Sequence, residues 1–266
     1  MICPAAHSRL YRRYCVMTLL SDSPVIRQQL AHRSIRKFRD DVIPLELLQQ
    51  LIRCGQAGAS SSFVQAYSVI RVTQAAARAR IAEAAGGQIY VEKAPEFLVF
   101  CADLKRIDLL SQKQGSGEVE GYTEHTVMAV VDVSLMAQNV MLAAESVGLG
   151  GVFIGGIRNN PDVVAEELQL PELVMPVFGM CLGVPDQDPQ TKPRLPLEAV
   201  LHTDRYQQEE MEGLVQGYDE QMRVYYESRS SNARGDSWTA ATARAVQNKT
   251  REHMKDFLQE RGFNRR

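Results

Sequence analysis

The sequence predicts an α+β domain: a modest sheet wrapped by helices. Three observations carry this. Residues 67–72 (YSVIRV) are rich in β-branched side chains, and FLVFC at 97–101 is an unbroken apolar run suited to a strand covered on both faces. A third apolar stretch, 174–184, has the same character, and Gly151-Val152-Phe153-Ile154 leads into the glycine pair 155–156. Between these lie segments of helical period, but no regular βαβ repeat and no internal sequence repeat.

In chain order, Ser23-Pro24 opens a short amphipathic helix with Val25, Ile26 and Leu30 on one side. After HRSIRKF, Ile43-Pro44 starts a second helix carrying Leu47, Leu48, Leu51 and Ile52, expected to fade at Gly55 and Gly58. Residues 75–85 are Ala-rich and helical, stopped by Gly86-Gly87. An exposed loop is expected at 111–121. The strongest helix runs from Thr123 to Val147, with Val127, Val131, Leu135, Val140, Met141 and Ala144 as its apolar stripe and Gly148 as its stop. A short helix is read at 163–168 and a Pro-rich connector at 185–196. Residues 206–262 read as largely helical with a break near 228–236. One domain over 23–266, with a helical excursion in its last third, is the reading; residues 1–22 read as a disordered N-terminal extension, with Met17 just ahead of regular patterning.

Composition narrows the function classes. Of 266 residues, 45% are hydrophobic and 23% charged, and the net charge is −2, so no nucleic-acid footprint is expected. Five scattered cysteines without a CxxC pair argue for a reducing, cytoplasmic setting rather than a disulfide framework. The five histidines show no metal spacing, and no metal site is expected. No apolar run approaches the ~18–20 residues of a membrane span, and no signal peptide is read. GxSxG, GxxxxGK[ST] and a post-strand GxGxxG are all absent, which sets aside hydrolase-elbow, P-loop and Rossmann chemistry. No carboxylate pair stands out for acid–base work.

Four short segments could hold a ligand. In an extended His32-Arg33-Ser34-Ile35-Arg36, alternation puts His32, Ser34 and Arg36 on one face, a donor set suited to phosphate or simply a solvated basic turn. Ser60-Ser61-Ser62-Phe63-Val64-Gln65 can bond a polar ring or remain a flexible loop. Gly155-Gly156-Ile157-Arg158-Asn159-Asn160 can bring a backbone close to a flat ligand or be a plain turn. Lys192-Pro193-Arg194-Leu195-Pro196 sets two cations on one rigid face, a clamp or a solvated patch. A fifth, Arg229–Arg234 (RSSNAR), is a polar break able to hold a second phosphate.

HRSIRKF, SSSFxQ, FIGGIRNN and KPRLP, in that order and joined by GGQ at 86–88 and RSSNAR, resemble the nitroreductase/flavin reductase family, most closely its oxygen-insensitive, NADPH-preferring branch. The resemblance runs from about Ser23 to the C-terminus. It implies a central, mainly antiparallel sheet wrapped by helices, in an intertwined homodimer with FMN at the interface. On that pattern His32, Arg33, Ser34, Arg36, Lys192 and Arg194 line the FMN phosphate and pyrimidine side, and Gln88 contacts the ring region. Ser60, Ser61 and Ser62 form a serine segment supplied partly by the second protomer, and the backbone of Phe153, Ile154, Gly155 and Gly156 lies against the ring near N5. Arg229 and Arg234 fall where the family grips the 2′-phosphate of NADPH; Phe63 and Arg251 fall in the substrate pocket.

The implied activity is two-electron, ping-pong reduction of nitroaromatics, nitrofurans, quinones or free flavin by NADPH. The hydride passes through flavin N5, so no side-chain acid or base is required. Alternatives are a flavin reductase feeding a partner oxygenase and a non-catalytic FMN-binding redox sensor. Three departures stand out: Phe153 where Tyr is common, Gly235 where Arg is unsurprising, and a divergent 111–121 that suits a lid loop.

Overall fold

A computed structural model describes residues 23–229 and 236–266. Its helices are α1 (Pro24–Leu30), α2 (Leu45–Gln56), α3 (Ala75–Ala84), α4 (Tyr90–Lys93), α5 (Lys105–Lys113), α6 (Thr123–Ser146), α7 (Pro161–Glu167), α8 (Met211–Glu227), α9 (Trp238–Asn248) and α10 (Met254–Glu260). The strands are β1 (Tyr67–Arg71), β2 (Glu96–Asp103), β3 (Gly150–Ile154) and β4 (Val174–Gly183). Two compact units result: the chain up to Pro189 with His253–Arg266, and Gln190–Glu252. The expected extension at 1–22 lies outside the described residues.

The first unit is built on one antiparallel sheet of order β1-β2-β4-β3, so the α+β expectation holds. All eight residues of β2 are buried, as a strand covered on both faces requires. The polar residues at its ends are paired. Arg71 Nε donates to Glu96 at 2.8 Å, and Ser68 Oγ donates to Asp103 at 2.5 Å. Register slips between Phe100 and Cys101, whose partners are Phe178 and Pro176. Pro176 has no N–H to give the ladder, so Val177 bulges out, and its freed carbonyl accepts from the Arg158 guanidinium. Cys101 and Cys181 are free thiols deep in β2 and β4, and burial pushes both up to about 12.

Helix α6 covers the sheet. Ala129, Asp132, Val133, Met136, Ala137, Val140, Met141 and Ala144 are its buried residues, spaced three and four apart. This corrects the expected stripe. Val140, Met141 and Ala144 face inward, but Val127, Val131 and Leu135 are 51%, 47% and 44% exposed. They form a second apolar line at i, i+4, i+8 on the other side. No continuous apolar run here reaches the length of a span, yet with apolar residues on two faces this helix is, by length and composition alone, long and apolar enough to cross a membrane. Its inward face, including the fully buried Asp132, packs in the core.

Helix α2 ends at Gln56, between the two glycines where it was expected to fade, with Leu48, Leu51 and Gly55 buried. Helix α1 has the anticipated Ser23 cap, Ile26 N donating to Ser23 Oγ at 3.4 Å, yet buries none of its side chains. The loop after α5 is pinned at both ends. Asp108, itself buried, accepts from Val119 N at 3.0 Å and from Gln112 Nε2 at 2.9 Å. Gly121 O accepts from Arg265 N at 2.8 Å.

The second unit has its own small core of Tyr218, Met222 and Tyr226 from α8, against which Leu195, Tyr225 and Trp238 pack. The Tyr218 hydroxyl donates to Pro193 O at 2.9 Å, fixing the KPRLP strap.

Candidate active site

Strand β3 is an edge strand, and the HRSIR segment lies along its start. Ser34 bridges Gly151 in parallel, and Ile35 N donates to Gly151 O at 2.9 Å. Ile35 is buried where Gly150 has no side chain; a Cβ there would meet Ile35 Cγ1 at 2.5 Å. Ile35 is thus the inward anchor of the segment. His32 Nδ1 lies 2.5 Å from Oε1 of Glu145, whose side chain is largely buried, near the end of α6. Arg33 turns to Asp188 and donates to Pro189 O at 3.4 Å. Arg36 is exposed and has no acidic partner among the described residues.

The other end of β3 meets the GGQ turn. An added Cβ on Gly156 would stand 2.2 Å from Gln88 Nε2 and 2.4 Å from Ala85 O, whereas one on Gly155 would find nothing nearer than Arg158 Nη2 at 3.5 Å. Protein packing thus accounts for Gly156, whereas a side chain at Gly155 would meet only the far end of the flexible Arg158. Gln88 is held in one orientation, its Nε2 donating to Ala85 O at 2.7 Å and its Oε1 accepting from Tyr90 OH at 2.6 Å. The Phe153 ring packs edge-on to Phe178, with centroids 5.3 Å apart. Three of the predicted segments thus meet around β3.

The serine segment is tied elsewhere, to Asp132 of α6. Ser60 Oγ donates to Asp132 Oδ2 at 2.7 Å and accepts from Gln65 N at 2.7 Å. Ser61 N reaches Asp132 Oδ1 at 2.9 Å, and Ala66 N reaches Oδ2 at 3.1 Å. Ser60's proton is thus committed within the chain, while Ser61, Ser62 and Phe63 are exposed. Burial first, and then the Asp132 charge, push the Tyr67 phenol up. Sequence reasoning passed over Asp132 and Glu145. The signal for Asp132 was there: one acid amid Val130-Val131-Asp132-Val133, which a core accepts only when its oxygens are bonded.

In the second unit, Tyr226 collects two of the predicted cations. Lys192 Nζ stands 5.5 Å from its ring centroid and the Arg229 guanidinium 6.0 Å. Arg194 acts on Tyr218, pulling down a phenol that burial pushes up. Neither Lys192, Arg194 nor Arg229 has a carboxylate partner among the described residues. Arg251 sits at φ 47° between α9 and α10. Arg234 lies outside the described residues.

Within the second unit, cations without carboxylate partners among the described residues can meet an anion. Comparison with known proteins supplies the family. Residues 30–184 match the nitroreductase family and 192–266 match the nitroreductase family, C-terminal domain. The chain is 44% identical to an NADPH-flavin oxidoreductase of Vibrio harveyi, over 89% of this chain and 97% of that one. It is 42% identical to an oxygen-insensitive NADPH nitroreductase of Salmonella typhimurium, over 91% and 98%. A solved nitroreductase structure from B. subtilis superposes with a TM-score of 0.87 at 38% identity, covering 91% of this chain and all of that one. The chain belongs to the nitroreductase family.

Proposed function

We propose that this protein is an FMN-dependent oxidoreductase that passes two electrons from NADPH to nitroaromatics, nitrofurans, quinones or related acceptors by a ping-pong cycle, acting as a homodimer with 23–266 as its catalytic domain. The observation that carries the reading is a pair of cations on one strap, Lys192 and Arg194, left without acidic partners among the described residues. A phosphate dianion supplies the charge they lack. When bound, FMN supplies the hydride chemistry.

The chain's own groups bind and orient. With Nδ1 turned to Glu145, His32 has only Nε2 to offer a ligand. Gln88, fixed by Ala85 and Tyr90, retains one amide hydrogen for a ring oxygen. Arg33 already has an exposed carboxylate, Asp188, beside it, a weak surface pair that a phosphate can displace. Arg229, with Arg234, suits the 2′-phosphate of NADPH. The exposed line Val127, Val131 and Leu135 supports self-association, because a bare apolar stripe of this kind is a natural subunit contact. The free, buried thiols of Cys101 and Cys181 accord with a reducing compartment, the cytoplasm.

The purified protein should be yellow, bleach with NADPH and regain colour with a nitrofuran. A colourless protein that ignores added FMN would sink the reading, and binding without NADPH turnover would leave a flavin sensor. Arg229→Ala should raise KM for NADPH about tenfold or more with little change for NADH; an unchanged ratio removes that role. Near-equal likeness to a flavin oxidoreductase and to a nitroreductase keeps free flavin as a second acceptor. Turnover on free FMN against turnover on a nitrofuran decides between them.

A further inference from the structure

We infer that Asp132 is a positioning residue for the flavin, setting the serine turn at 60–65 in its ligand-binding shape; this rests on the FMN reading above. The turn is held in a conformation that its sequence does not favour. Ser62, Phe63 and Gln65 stand at φ 48°, 58° and 55°, three non-glycine residues in the left-handed region within four positions. Each costs free energy, and such geometry persists only where the surroundings over-determine it.

Asp132 is what over-determines it. The residue is completely buried, and among the described residues no Lys, Arg or His pairs with it. Its charge is met by the Ser60 hydroxyl and by the amides of Ser61 and Ala66, at 2.7, 2.9 and 3.1 Å. Those donors bracket the strained residues on both sides, and Ser60 closes the loop by accepting from Gln65 N. A buried carboxylate without a counter-ion is costly unless its oxygens are bonded. The cost here maintains a turn whose tip, Ser61 to Phe63, buries nothing in this chain. A shape fixed at such expense and displayed outward is a binding shape. Asp132 also follows Val131 of the exposed apolar line, so a partner subunit docked on α6 would lie beside this turn.

The test is Asp132→Asn, which keeps the shape and turns one acceptor oxygen into an NH2 facing a donor. Wild type, D132N and the control Asp103→Asn are compared for FMN affinity by fluorescence, for the visible circular dichroism of bound flavin at saturation, and for amide exchange of the apoprotein. For D132N we expect FMN Kd to rise roughly tenfold to a hundredfold, the flavin dichroism to change, and Ser61 and Ala66 amides to exchange faster. D103N, which loses a different buried carboxylate, should leave Kd within about twofold. If D132N fails to fold, Ser60→Ala should weaken FMN in the same direction by a smaller factor. Unchanged Kd and dichroism in D132N, or in S60A where that replaces it, overturn the inference and leave the flavin reading standing. Wild type without affinity for FMN sinks both.

Discussion

Gly156 and Gly155 are chemically identical neighbours with opposite tolerances. A methyl at 156 must displace the Gln88 amide and the Ala85 carbonyl, at 2.2 and 2.4 Å, whereas one at 155 meets only the flexible Arg158 guanidinium at 3.5 Å. Gly156→Ala should cost about 1–3 kcal/mol and disturb Gln88; Gly155→Ala should leave Tm nearly unchanged and instead weaken a ligand lying on the backbone. Thermal unfolding of the two variants separates them. At this scale the ordered motifs were legible, because residue type and order are carried by the chain itself. Partners were not: that Asp188 occupies Arg33, that Glu145 takes His32 and that Ser60 spends its proton on Asp132 depend on contacts between residues 155, 113 and 72 positions apart.

Among the elements, strands were easier to read than faces. FLVFC and 174–184 announced β2 and β4, but the α6 stripe merged two sides, since a helix apolar on both faces has no single periodic signature. The bulge at Val177 was readable in principle from Pro176, though only once β2 was known to pair there. The loop expected at 111–121 begins after Lys113 and is more firmly held than a free lid. Its anchor, Asp108, has its carboxyl held below the ordinary value of 3.8 mainly by the Val119 amide, with Gln112 and Lys105 adding to this against the effect of burial. A depressed folded value means that the anchor's contribution is present above the ordinary carboxylate range and is lost as pH falls through the lower folded value. The protection of the Val119 amide, measured against its intrinsic exchange rate at each pH, should therefore fall in acid, and Asp108→Asn should remove that fall.

For the whole molecule, the family relation and the exposed α6 line lead to one expectation: Val131→Glu should convert a dimer to monomers with little loss of monomer stability, as read by sedimentation and by thermal unfolding. A monomeric wild type would remove the dimer proposal. The two-unit division was only partly legible, as an excursion, because the aromatic core of Tyr218, Met222 and Tyr226 is too small to stand out in composition.

The thiols in the middle of the sheet bear on how long such a catalyst would last. Quinones and partly reduced nitro compounds alkylate thiolates, so an enzyme turning over these acceptors would bathe in its own inactivators. With Cys101 and Cys181 raised to about 12, almost none of either is ionised near neutrality. Among the described residues only the partly buried Cys54 remains within reach of such electrophiles, and the central sheet would survive many turnovers chemically unmarked.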